Sequence, residues 1–517
     1  MNHSAPFFAA VLKSIVAGLL LLLPLAGKLD AATAPPVALL FRAGANATEG
    51  QGLAVGSNGV IYATGQFSGT ATFGAITLTN GGAQDYWVAA YSPIGAVQWA
   101  LRAGGTGSDF GADVVLDQAV DVLVAGVIQG TNDFHGVTNA AGFGGKDWFL
   151  AKYSPAGALQ WVRLAGSATD DQAYDVAVDS ANNYYIGGRI SGVAAFGGTN
   201  VGSAGQTHLV LAKYDSGGNL LWARDVGQSG STETCGVGID SNDNPLICGS
   251  SSSGSPTGPF VAKYNSVGTQ LWKKVITGNY YFDEASGVDA DAAGNVYVAG
   301  RSGAATLDFG TFTLTNPSAV VRGFVVKFDS AGNALWAKLA GSRAFDVDVT
   351  ADGSAYFTGF HSSTANTLGT NTLTAISGLD LWIAKFDAAG NTVWLTNSGT
   401  SANDIGRAIV QTPGGSTFAI GEAGAEIFDN ANFSPTVFIV ELRPTEPLAP
   451  TLAISRTSTN LAVAWPAGES GFVIQTAGAL GAAFQAGQLS FTPVAGQTNV
   501  FTTPLPTTNV FLRLARP

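Results

Sequence analysis

From residue 37 onward the chain alternates apolar and polar residues in short runs, among them YDVAVD at 174–179, LVLAKYD at 209–215 and LLWARDVG at 220–227. A period of two sends successive side chains to opposite faces of an extended strand. Between the runs stand DSANN, DADAAGN, DSGGN and DSAGN, whose Asn, Asp and Gly residues suit tight hairpin turns. Outside a hydrophobic leader, no stretch keeps a 3.6-residue apolar period long enough for a helix. The pattern predicts an all-β protein.

The strands recur in register. After a strand of the form Y-x-x-G or L-x-x-G, a glycine stands at Gly65, Gly126, Gly188, Gly249, Gly300, Gly359 and Gly421, spaced by 59–62 residues except for the 51 between Gly249 and Gly300. Trp99, Trp161, Trp222, Trp272, Trp336 and Trp394 form a second column. Lys152, Lys213, Lys263, Lys327 and Lys385 form a third, with Ala90 and Glu441 at its two ends. Each unit therefore holds four short strands, a to d in chain order, and four-stranded units at this spacing predict β-propeller blades. Strands a, b and c recur seven times, ending with FIVELR at 438–443, whereas strand d with its Trp recurs six times. VALLFRAG at 37–44 supplies the missing copy, with Leu39 at the Trp position and Arg42 matching Arg102. The expectation is a seven-bladed β-propeller over residues 37–443, closed by an N-terminal strand that removes otherwise unpaired edges.

The D-x-x-x-D…N-x-Y-x-x-G, x-x-x-A-K-Y/F-D and G-N-x-x-W elements of these units resemble the SBBP-type repeat of secreted bacterial β-propellers over residues 37–443. That resemblance implies a fold and brings no catalytic motif with it. RPTEPLAP marks a proline-rich linker at 444–450. Residues 451–517 alternate again in strand-length runs and predict a small β-sandwich, similar to a fibronectin-III-like module, with Trp465 in its core. At the other end, Ser14–Gly27 carries no charge, is short for a bilayer span, and is followed by small residues suited to cleavage near Ala31 or Ala32. A signal peptide at 1–31 is expected, and with it a secreted, extracellular or cell-surface protein with no transmembrane segment after cleavage. An uncleaved anchor is the alternative.

Composition narrows the partners. With 46% hydrophobic residues and 12% charged, the chain has the means to fold, and its net charge of −12 argues against nucleic acid. Neither G-x-S-x-G nor a phosphate loop occurs, and the four histidines lack metal-ligand spacing. The tryptophan and glycine columns read as packing, and the lysine column as a recurring pair with a carboxylate. The residue after each column glycine varies, including Arg189 and Arg301, at the start of loops on the face shared by the b–c and d–a connections. The d–a loops of that face collect Asp109, Asp170, Asp171, Glu233, Asp283, Glu284 and Asp404. These carboxylates suit strand-end capping, cation binding with Ca²⁺ as the candidate, or acid–base chemistry. Cys235 and Cys248 face each other if their hairpin turns about Ser241–Asn242, which predicts a disulfide, and a one-residue change of register moves them apart. The fourth unit has a short b–c loop, which predicts a notch in the rim. The resulting expectation is a monomeric, cofactor-free scaffold binding a protein or glycan through its loop face. The alternative is a polysaccharide hydrolase or lyase using loop carboxylates near a central channel.

Overall fold

The computed structural model describes residues 34–444 except 136, 229–234, 252–256, 277–282, 318–319, 363–366, 369–370, 373–377, 400–402 and 424–435, together with the backbone of six strands between 453 and 515. The leader, Glu233 and the side chain of Trp465 lie outside the described residues. Every regular element described is a β-strand. No helix among the described residues is long and apolar enough to cross a membrane.

The four-stranded antiparallel unit repeats as the columns predicted. In the third unit, Gln172–Val178, Tyr184–Phe196, Thr199–Tyr214 and Leu220–Gln228 pair in that order. The fourth unit pairs Val237–Ile239, Pro245–Ser251, Gly258–Tyr264 and Gln270–Val275 in the same way. The last segment has only three strands of its own, Ile405–Gln411, Thr417–Ala423 and Thr436–Leu442. Its fourth partner is the start of Val37–Val55, where Leu39 lies opposite Glu441 and Arg42 opposite Phe438. These are the places that Trp99 and Arg102 take opposite Ala90 and Trp87 in the first unit. The second half of the same long strand, from Glu49 to Val55, serves as strand a of the first unit. Each strand a packs against the strand a of the next unit, and Ile405–Gln411 packs against Val37–Val55. The hydrogen-bonded sheet itself does not close among the described residues.

Burial follows from this stacking. Strand c is covered on both faces, and Asp85–Tyr91, Gly258–Tyr264 and Arg322–Phe328 are buried along their whole length. Strand d is half exposed, and its Trp reaches across to the next unit: Trp99 Nε1 donates to Pro155 O at 2.9 Å, Trp222 to Ser266 O at 3.1 Å and Trp272 to Ser330 O at 3.1 Å. The facing turn carries a glycine with positive φ, such as Gly157 at 84°, where a Cβ would meet the Trp99 ring at 2.9 Å. Phe41 occupies the matching place against Gly95. In the second to fifth units the column lysine pairs with the Asp that opens the a–b turn. Lys152 Nζ lies 2.8 Å from Asp117, Lys213 3.2 Å from Asp179 and Lys263 2.5 Å from Asp240.

Long b–c hairpins in several units reach back onto the preceding strand d. Gly104 pairs with Asp133, Gly166 with Ala195 and Ala340 with Leu368. The fourth unit has no room for such an arm between Ser251 and Gly258, and its loop residues 252–256 lie outside the described set.

The structure corrects the disulfide: Cys235 and Cys248 are buried free thiols. Val237 pairs with Ile247 and Gly236 O accepts the Cys248 N–H, so the hairpin is centred on Asn242 and the register slips by one residue, placing Gly236 rather than Cys235 beside Cys248. Asp243, at a φ of 58°, absorbs that shift. Cys235 then packs with Tyr185 and Leu209, and Cys248 with Leu246 and Val298, on opposite faces of the sheet. The six strands beyond residue 452 form two three-stranded antiparallel sheets, one of Ala453–Arg456, Asn460–Trp465 and Asn499–Pro504 and the other of Val473–Ala477, Gln485–Ala486 and Phe511–Ala515.

Candidate functional site

The loop carboxylates do not converge. Asp109 is buried and accepts Gly105 N–H at 2.8 Å and Gln129 N–H at 2.6 Å, tying the d–a turn to strand b. Asp171 does the same with Ser167 at 2.5 Å and Ser191 at 2.6 Å, and Asp283 accepts Gly303 N–H at 3.0 Å. Asp404 is likewise fully buried, at the matching place of the last segment. Burial pushes the Asp109 carboxyl to about 6 and raises Asp171, against the pull of these N–H donors. Asp170 accepts Lys146 N–H at 3.0 Å on the surface. Asp109, Asp171 and Asp283 are thus braces in the second, third and fifth units.

Two of the predicted residues do meet. Arg301 Nε lies 3.0 Å from Glu284 Oε1, and the same carboxylate takes Arg343. Arg189 stands apart; its carbonyl accepts Trp148 Nε1 at 2.9 Å, and its Nε is buried with no hydrogen-bond partner among the described residues.

What does converge is a ring of residues set by backbone irregularity. Each strand a outside the fourth unit breaks register at one residue: Gln51, Ala112, Tyr174, Ser286, Phe345 and Arg407. A β-bulge gives one strand an extra residue and re-aims its side chain. It also explains the glycine column, because a Cβ at Gly65, Gly126, Gly188 or Gly300 would strike the strand-a carbonyl beside the bulge. All six bulge residues, with Cys235 in the fourth unit, line one cavity of about 290 Å³ at the mouth between the strands a. Phe345 lies under two guanidinium groups, Arg343 at 4.1 Å and Arg407 at 4.8 Å from its ring centre. Arg407 Nε also lies 3.0 Å from Glu422 Oε1. Burial lifts the Glu422 carboxyl, opposed by Arg407 and reinforced by Glu49. Tyr174 donates to Gln172 at 2.8 Å and Gln51 to Glu49 at 2.6 Å.

Below the mouth the wall turns acidic. Asp113, Asp175 and Asp346 border both the mouth and a deeper cavity of about 360 Å³, which Asp289 and Asp348 also line. Each carboxylate takes an N–H from the neighbouring strand a: Asp113 from Val176 at 3.3 Å, Asp175 from Val237 at 2.6 Å, Asp346 from Ile409 at 2.9 Å, Asp289 from Val349 at 2.8 Å and Asp348 from Gln411. The N–H groups on the inner edge of a sheet have no next strand, so these carboxylates satisfy them. Burial raises all five, Asp346 to about 7 and Asp348 to about 6. Among the described residues, no three His, Cys, Asp or Glu side chains are placed to hold a metal ion. Asp113 and Asp175 begin the D-x-x-x-D element, so the signal was in the columns; the bulge residues follow a small residue on strand a, which alone does not announce a bulge.

No family model matches the chain. It is 23% identical over 419 residues to an uncharacterized WD repeat-containing protein of Acanthamoeba polyphaga mimivirus, covering 62% of this chain and 30% of that one. It is 28% identical over 176 residues to the regulatory protein FlaEY of Caulobacter vibrioides, covering 30% and 18%. The chain thus spans less than a third of either relative. Among solved structures, the Neurospora crassa Pan2 WD40 domain matches 77% of the chain and 90% of its own length, with 9% identity and a TM-score of 0.41. The polysaccharide lyase Uly1 matches 77% and 91%, with 10% identity and a TM-score of 0.44. The fold is all-β and propeller-like.

Proposed function

We propose that this chain is a secreted, monomeric, non-catalytic binding scaffold. In this reading it is a seven-bladed β-propeller of SBBP type, closed by Val37–Gly44 and followed by a fibronectin-III-like module. It holds a protein or glycan of the cell surface at the mouth between the strands a. The observation that supports it most is the bulge ring: one repeated backbone device delivers Gln51, Ala112, Tyr174, Ser286, Phe345 and Arg407, each from a different unit and all chemically different, into one cavity that Cys235 also lines. A fixed frame with variable tips is how loops and bulges on rigid scaffolds present recognition groups. The buried carboxylates nearby spend oxygens on backbone N–H groups, which suits staples better than acid–base catalysts. Screening the mature protein against glycans and cell-surface proteins, with and without EDTA, tests the reading. Tyr174→Ala and Phe345→Ala should each weaken binding by at least tenfold, and unchanged binding by both would remove the mouth from consideration.

One observation favours an enzyme instead. Glu422, with its raised carboxyl, sits beside Glu49 and Arg407 at the same mouth. Cleavage of a polysaccharide that disappears in Glu422→Gln would establish a hydrolase or lyase.

A further inference from the structure

The deeper cavity is lined by five carboxylates and, among the described residues, by no Lys, Arg or His. Asp113 and Asp175 stand on neighbouring strands a, and Asp289 and Asp348 on another neighbouring pair. Burial raises all four carboxyls, with Asp113 adding to the cost of ionising Asp175 and Asp348 to that of Asp289. Asp346 stands within reach of both pairs. The backbone N–H groups that hold these side chains fix their direction, yet a carboxylate has about four lone-pair sites and each spends only part of them on the staples. A second group points to a missing partner. Ser286 lines the mouth together with Asp113, Asp175 and Asp346, is 8% exposed, and its Oγ makes no hydrogen bond among the described residues. A buried hydroxyl left unsatisfied is costly, and a ligand donor in the cavity removes that cost.

The acids come from four units, Asp346 and Asp348 sharing one strand, and among the described residues they are not gathered as metal ligands. Their arrangement fits an organic cation with several N–H donors. We infer that the channel takes the basic side chain, lysine or arginine, of a protein partner. Its stem passes between Phe110, Tyr174 and Phe345, and its charged head meets Asp113, Asp175 and Asp346, with Ser286 Oγ as a further acceptor. A stem suits this order, because Phe110, Tyr174 and Phe345 line the mouth alone, whereas Asp113, Asp175 and Asp346 line both cavities. The inference rests on the scaffold reading and names the chemistry of its partner.

Binding of this kind is linked to protons. An incoming cation favours ionised carboxylates, which burial otherwise holds toward their protonated form. The groups that face it are Glu49 from the first unit, Asp113, Asp175 and Cys235 from the next three, Glu284 and Asp289 from the fifth, Arg343, Asp346 and Asp348 from the sixth, and Arg407 from the last segment. Affinity for a lysine or arginine side chain should therefore rise from pH 5 to pH 8.

Calorimetric titration of the full chain with capped Gly-Lys-Gly, Gly-Arg-Gly and Gly-norleucine-Gly, and with a glucosamine trimer, decides the matter. The two basic peptides should bind at least tenfold more tightly than the norleucine peptide. That preference should vanish in Asp113→Asn/Asp346→Asn and fall severalfold in Ser286→Ala, with unchanged circular dichroism. Equal binding of lysine and norleucine peptides overturns the inference, as does a preference that survives the double substitution or a glucosamine trimer that outcompetes lysine. If the double variant does not fold, Ser286→Ala and the pH series decide, and a preference flat from pH 5 to 8 overturns it. Cell-surface binding that responds to Tyr174→Ala without any lysine preference would retire this inference alone and leave the scaffold reading standing.

Discussion

Asp346 is enclosed by backbone and by other carboxylates, and burial carries its carboxyl to about 7, with Asp348 at about 6. In the unfolded chain an aspartate titrates near ~3.9. Between these values the folded state holds more protons, so its stability falls as pH rises, and the loss is complete above the folded value. Asp109 and Asp147, each pushed to about 6 by burial, act in the same direction. His361, which burial holds below its ordinary value, pulls the other way in this window. Asp179, Asp240 and Asp291 are lowered by their hydrogen bonds and lysine partners, against burial, and their contributions are lost only at lower pH, below the unfolded value. The thermal midpoint should therefore climb as pH is lowered from 8 to 5, and Asp346→Asn should flatten the slope. A midpoint that drops steadily over that range would contradict this balance. The thiols make a second residue-scale test. Cys235 and Cys248 are both buried, and burial raises both. A maleimide should label neither in the native protein and both after denaturation, without prior reduction.

At the scale of elements, the backward-reaching arms carry their own share of stability. Phe196, on the arm of the third unit, is fully buried and meets the Trp148 ring edge-on at 5.1 Å, while its backbone pairs with Ala165 of the preceding unit. Truncating a buried Phe to Ala costs about 3–5 kcal/mol. Phe196→Ala should lower the unfolding free energy by about that amount in denaturant titration, with new proteolytic cleavage along the arm. Strands and turns were legible beforehand because a period of two and Asn/Asp/Gly turns are local signals. The arms and bulges were not. A bulge is one residue more than its partner strand, and sequence alone supplies no partner to count against. The same blindness explains the cysteines, where one residue of register decided whether two side chains met. It also explains the loop carboxylates: Asp109 and Asp171 stood where the spacing put them, but where their oxygens point depends on Gln129 and Ser191, twenty residues away.

At the scale of the molecule, the pairing of Val37–Gly44 with Val437–Leu442 joins the two ends of the repeat region. Leu40 and Ala34 pack against the core of the last segment, and Phe41 against the first. The strand is thus shared between neighbours, and its continuation from Glu49 to Val55 is already strand a of the first unit. Removing residues 37–44 would expose the edge of Thr436–Leu442, whose side chains from Val437 to Val440 are completely buried. An exposed apolar edge strand is a template for aggregation. The truncated protein should therefore be insoluble or unfold without cooperativity, and a VALLFRAG peptide added during refolding should restore soluble product. Soluble, cooperatively folding protein without the strand would refute the closed seven-bladed ring. Rescue by the peptide but not by a scrambled version would show that pairing, rather than chain length, is what the segment provides.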